Sequence, residues 1–201
     1  MLQSFRFTGL AVAALVVVAC SKKENYGTDT TAASSTISTD TSAMATGAPP
    51  ASGTWTDANI FALLDEANMA DSAAGAVAAT KGTASAVRDF GKRMMRDHHQ
   101  LRAQGEALAK KLKITPAVPS DDPVMSAGQK HMDTLNSTAK GKDFDKAYVD
   151  GQVDIHKAVL DIATKAAGQT QNAQLKNLIQ KAAPVIQGHL DKAEAIQKTL
   201  K

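Results

Sequence analysis

One cysteine, Cys20, stands in a chain of 201 residues. A disulfide within the chain is therefore excluded, and so is a zinc site of the multi-cysteine type. Aromatic residues make up only 4%. Few β-branched runs alternate with polar residues, so no credible sheet is present. Charge of either sign is not in excess: 23 Lys and Arg against 20 Asp and Glu leave +3. Nucleic-acid binding needs a clustered basic face; here the basic residues are scattered, and no nucleic-acid partner is expected. A glycine-rich phosphate loop, a nucleophile elbow and a His-Glu-x-x-His pair are all missing. Catalytic residues thus stay unidentified, and a hydrolase or transferase is disfavoured.

The one long apolar run is Leu10 to Val18, preceded by the positive charge of Arg6. It is too short to span a bilayer, which takes about 20 apolar residues, and reads as the core of a secretory signal over residues 1–19. Val17-Val18-Ala19-Cys20 resembles the lipobox of bacterial lipoproteins, with Cys20 as the lipidated first residue after cleavage. Ser21 follows, where an Asp would favour inner-membrane retention. The expected address is the periplasm, lipid-anchored at the outer membrane, with the membrane as partner through the lipid on Cys20.

From Cys20 to about Thr54 the chain is rich in Ser, Thr, Ala and Gly. Such a stretch buries too little apolar surface to offset its ordering entropy, so a flexible linker is expected. A random coil of about 33 residues spans roughly 30 Å.

Residues 55–201 read as one helical domain. Apolar residues recur at helical spacing, and Ala, Leu, Lys and Gln favour helix. Helix 1 is expected over Asp57 to Lys81, with Thr56 as N-cap, a Trp55–Ile60 staple and Gly82 as stop. Helix 2 spans Ser85 to Leu112. A short helix 3 starts at Pro123 behind the N-cap Asp122, carries Met125, Met132 and Leu135, and fades near Lys140. Helix 4 covers about Asp145 to Ala167. Helix 5 covers about Asn172 to Leu200, with a kink expected at Pro184. Short turns make two antiparallel hairpins joined by a longer segment. The fold class is therefore all-α: an up-down four-helix bundle, ferritin-like, with a short extra helix in the crossover.

Two blocks stand out: Val87 to His98, reading VRDFGKRMMRDH, and Phe144 to His156, reading FDKAYVDGQVDIH. With Pro184 followed by His189-Leu190, they resemble the exported, ferritin-like family called domain of unknown function 4142, over about residues 56–198. The resemblance implies a ferritin-like helical fold and an envelope location, and no established reaction. The family usually carries glutamates near Asp71 and Ala73, one shortened and one lost here.

Polar residues interrupt the apolar stripes of four helices: Asp71, His98, His156 and His189. Buried polar groups need partners, because leaving one unpaired costs about 1–3 kcal/mol. One reading is a metal site, since imidazoles and a carboxylate suit Fe, Cu, Zn or Mn. The other is a hydrogen-bonded polar core without any cofactor, the histidines bonding to Asp71, Gln152, Tyr148 or backbone. A di-iron centre would use Glu-x-x-His on two helices; Met95, Val153 and Ile186 stand three before the histidines instead. Counting from the helix 4–5 turn leaves His156 and His189 about six residues, or ~9 Å, out of step. Met94, Met95, His98 and His99 form a further group with ligands suited to Cu(I), though Met94 continues an apolar stripe. His99 and His131 read as surface residues. Asp97 adjoins His98, but adjacent residues on a helix face different ways, so one is core and one is surface. The functional expectation is an envelope lipoprotein acting by binding, structural support or in stress. The alternative is a metal-binding or redox protein using the core histidines.

Overall fold

The computed structural model describes residues 53–200, all of which fall in one compact unit, Thr46–Lys201. The signal sequence, Cys20 and nearly all of the linker lie outside the described residues. Among the described residues there are five α-helices and no strand: α1 Asp57–Lys81, α2 Ser85–Leu112, α3 Pro123–Ser137, α4 Lys142–Gln169 and α5 Ala173–Thr199. None is long and apolar enough to cross a membrane.

The caps explain where the helices start. Thr56 and Asn59 form a reciprocal capping box at α1, and Trp55 and Ile60 are buried in one cluster, as a staple requires. Asp122 accepts from Val124 and Met125 N–H ahead of Pro123. Asn172 does the same for α5. Helix α2 has no cap of its own at Ala84. Instead the buried Asp145, inside α4, accepts from the Thr83 and Ala84 N–H groups at 2.8 and 2.7 Å and from the Thr83 hydroxyl. Helix α4 accordingly begins at Lys142, three residues before the expected start, and runs on to Gln169. Gly82 does end α1, but not through a left-handed turn: its φ is −58°. A Cβ there would meet the Ala78 carbonyl oxygen at 2.7 Å.

Helix α1 packs along α2 and α4 along α5; α1 also meets α3 and α4, α2 meets α5, and α3 meets α4. The loop after α2 is pinned to the start of α1, with Ala117 N–H donating to the Ala58 carbonyl and the Asn59 amide to the Ala117 carbonyl. Gly75 and Gly91 let the α1 and α2 backbones touch. A Cβ on Gly75 would lie 2.7 Å from the Gly91 carbonyl oxygen, and one on Gly91 would lie 2.6 Å from that of Gly75.

The apolar core divides into two clusters. One gathers Trp55, Phe61, Leu63, Leu175 and Ile186; the other gathers Phe90, Met94, Leu135, Phe144, Tyr148 and Leu190. On α1, α2 and α5 a buried polar residue lies where the first cluster gives way to the second: Asp71, His98 and His189. Gln152 and His156 do the same on α4. A polar layer thus separates two apolar halves.

Candidate metal centre

The structure brings His98, His156 and His189 together. One ring nitrogen from each lies within 4.8 Å of the other two, and all three residues are buried. Ring centroids are 5.1 to 5.6 Å apart. The axial mismatch expected between His156 and His189 is smaller than the sequence suggests. His156 stands 13 residues before the end of α4 and His189 16 after the start of α5. Three residues are about 4.5 Å of rise, which two imidazole side chains bridge.

Each imidazole is held from outside through its other nitrogen. His98 Nδ1 lies 2.9 Å from Asn68 Oδ1. The Asn68 amide cannot be the other way round, because its Nδ2 donates to the Leu64 carbonyl at 2.6 Å. Asn68 therefore presents an acceptor, and His98 carries its proton on Nδ1. His156 Nδ1 faces the Gln152 carbonyl oxygen at 2.9 Å, again an acceptor. His189 Nε2 faces Asp97 Oδ2 at 2.9 Å, and Arg93 Nε donates to the same oxygen at 3.1 Å. Three acceptors thus fix three tautomers. The nitrogens left with lone pairs are His98 Nε2, His156 Nε2 and His189 Nδ1. Those three have no hydrogen-bond partner among the described residues.

Asp71 borders the group. Its Oδ2 lies 3.7 Å from His98 Nε2, and its Oδ1 accepts from Gln152 Nε2 at 3.2 Å. Among the described residues no Lys or Arg pairs with this buried carboxylate, although burying a carboxylate without a cation is costly. Burial disfavours the charged forms of His189 and His98. Burial pushes His189 down to about 4, against the pull of Asp97, and the other two histidines lower it further. Burial likewise lowers His98, with Asp71 opposing. Asp97 is lowered despite its partial burial, because His189 and Arg93 donate to it.

Several sequence expectations need correction. His131 is not a surface residue: it is buried, continuing the Val124, Gly128, Leu135 face of α3, and it stacks on Tyr148 at 6.2 Å. A Cβ on Gly151 would lie 2.1 Å from its ring, so only glycine fits beneath it. Of the apolar residues expected on helix 3, Leu135 is buried and Met125 is exposed. Met94, Met95, His98 and His99 do not form one site, since Met94 and His98 are buried while Met95 and His99 face outward. Asp97 is the residue that sequence reasoning set aside. It does face away from His98, and it reaches His189 on α5 instead.

A model of the family described as Domain of unknown function (DUF4142) matches residues 40–196. The chain belongs to this family. No curated protein matches it, and no solved structure does.

Proposed function

We propose that this DUF4142 protein binds one divalent transition-metal ion through His98 Nε2, His156 Nε2 and His189 Nδ1, with Asp71 beside them. One observation carries the reading: three buried imidazoles each donate outward to a fixed acceptor, leaving three unpartnered lone pairs on rings whose centroids lie 5.1 to 5.6 Å apart. Metal-bound histidines commonly have such outer partners. In a purely structural polar core the inner nitrogens would be paired too. Donors about 2.0–2.1 Å from a zinc-sized ion stand about 3.3 Å apart in a tetrahedron, a spacing inside the 4.8 Å that bounds one nitrogen of each ring. Neutral imidazoles suit Zn, Cu and Fe, and a carboxylate adds Mn. Asp71 would offset the ion's charge, either as a fourth ligand or from just outside. This favours the metal-binding alternative over a purely structural or stress-related envelope role.

The four long helices, paired α1–α2 and α4–α5 with α3 between the pairs, support a ferritin-like four-helix bundle. The lipobox-like Val17 to Cys20 and the Ser/Thr/Ala-rich stretch after it support export, lipidation at Cys20 and a tether to the outer membrane, with the bundle starting near Trp55.

The test is elemental analysis of the full chain carrying Cys20→Ser, purified without chelators or a histidine tag, beside His98→Ala and His189→Ala versions. The expected result is one ion per chain in the parent and none in the folded variants. No uptake after challenge with Fe, Cu, Zn and Mn in turn overturns the proposal.

A further inference from the structure

A cavity of about 280 Å³ lies against the histidine group, with His98 in its wall. For scale, an apolar cavity of about 150 Å³ accepts a benzene molecule, so this one has room for a bicyclic ring system. Its sides are Phe61, Leu101, Val159, Ile179 and Ile186. Polar groups occur at only two places. At the inner end are Asn68 and His98, whose facing atoms bond to each other. At the outer end Arg102 meets Asp65 at 2.6 Å and Glu106 at 3.3 Å. Asp65 and Arg102 are half-buried, whereas Glu106 and Pro116, which also line the cavity, are exposed, and these residues mark the mouth.

The mouth selects by charge. Two carboxylates surround one guanidinium, so no free positive charge remains to recruit an anion, and the local balance is negative. The interior selects again. It has no carboxylate to meet a cation, and carrying an unpaired charge into apolar walls is prohibitive. Binding pockets of small molecules combine such apolar walls with few convergent polar groups.

We propose that this cavity binds a small, uncharged, ring-sized apolar molecule packed against His98. The site stands on the cavity itself; the closeness of its occupant to a metal ion rests on the metal reading above. His98 is the wall common to the cavity and the histidine group, so an occupant is held at the edge of the proposed ion.

Gly105 supplies the test. It lines the cavity, two turns along α2 from His98 and so on the same face, and a Cβ there would meet nothing within 4 Å. Gly105→Phe fills the cavity without touching the backbone. The full chain with Cys20→Ser, metal-free, is titrated calorimetrically with 2-naphthol, 2-naphthoate and 1-naphthylmethylammonium. The expected result is one 2-naphthol per chain, bound at least tenfold more tightly than either charged probe and shifting the His98 ring signals by NMR. Gly105→Phe should abolish binding while keeping the helical circular dichroism and melting temperature of the parent. Equal affinity for a charged probe, no saturable binding, or binding untouched by Gly105→Phe overturns the proposal. A parallel titration of the Co(II)-challenged chain separates the two readings. Co(II) uptake without 2-naphthol binding sinks the cavity and leaves the metal site. Binding of 2-naphthol with the His98 shift in a chain that takes up none of Fe, Cu, Zn, Mn and Co(II) supports the cavity and sinks the metal site.

Discussion

Gly75 of α1 and Gly91 of α2 meet backbone to backbone, so that a Cβ on either would stand 2.6–2.7 Å from the other's carbonyl oxygen. Seven residues back along α1 from Gly75 is Asn68, and seven on along α2 from Gly91 is His98. Two helical turns from the closest approach, these two are hydrogen-bonded at 2.9 Å. The glycine crossing therefore sets the spacing and register that put an acceptor behind His98.

Gly91→Ala should force the helices apart. Overpacking of a fixed core costs about 1–3 kcal/mol, read as a lower urea midpoint. The variant should also bind metal more weakly, because Asn68 withdraws from His98. Gly105→Ala is the control: the space around it is open, and replacing a helical glycine gains about 0.5–1 kcal/mol. Equal stability of the two variants would refute the close crossing.

Asp97 should matter to metal affinity without touching the ion. Its carboxylate holds His189 Nε2–H and is itself held by Arg93. Removing such an outer partner typically weakens metal binding by about 10–100-fold. Asp97→Ala should show that loss in competition with a chelator, with an unchanged far-ultraviolet spectrum. Asp97→Asn, which can still accept through its amide oxygen, should recover part of it. Full affinity in Asp97→Ala would remove Asp97 from the site.

Much of this was legible in the sequence, and the gaps have physical causes. Helical spacing and local caps place α1, α2 and the start of α3, because Thr56, Asp122 and Pro123 act within a few residues of themselves. The same spacing marks Asp71, His98, His156 and His189 as breaks in apolar stripes. What periodicity cannot carry is the partner across helices. Asn68 and Asp97 look like ordinary half-exposed positions until α1, α2 and α5 are assembled around them. The turn offset between His156 and His189 was overestimated because the end of α4 and the start of α5 were each displaced by a residue or two. The buried residues of α5 include Ile179 and Ile186, each next to another apolar residue, Leu178 and Val185; with two apolar neighbours side by side, spacing alone does not choose. His131 was misplaced because histidine tolerates either environment, although Val124, Gly128 and Leu135 at helical spacing mark its face.

Asp145 is a second long-range partner that sequence spacing hides. It is buried and takes both N–H groups at the uncapped start of α2. Asp145→Ala would leave those donors unpaired in a closed site. Hydrogen bonds to charged groups contribute about 1.5–3 kcal/mol, and a loss of that order is expected in thermal or urea unfolding. Metal affinity should fall little, because Asp145 lies among the apolar residues of the second cluster rather than in the polar layer. A large affinity loss with unchanged stability would contradict this division.

The buried, neutral His189 makes the metal-free protein acid-sensitive in a defined window. His189 titrates at about 4 in the folded chain against an ordinary value of 6.5, chiefly because burial disfavours its charged form. Between those values the unfolded chain binds the extra proton and the folded one does not. Stability therefore rises with pH across the window and is lost as pH falls from about 6.5 to about 4. At 1.36 kcal/mol per pKa unit, His189 alone accounts for about 3 kcal/mol of loss. His98 and His131, both lowered by burial, act in the same direction. Asp97 titrates below this range, so its own protonation does not shape the curve there. Urea midpoints of the metal-free chain from pH 7.5 to 4.5 should fall steadily below pH 6.5, and those of His189→Gln should fall less steeply. If both chains give the same slope, His189 is not the buried neutral base described here. Acid should also release a bound ion over the same range, since protons then compete for the three lone pairs that would hold it.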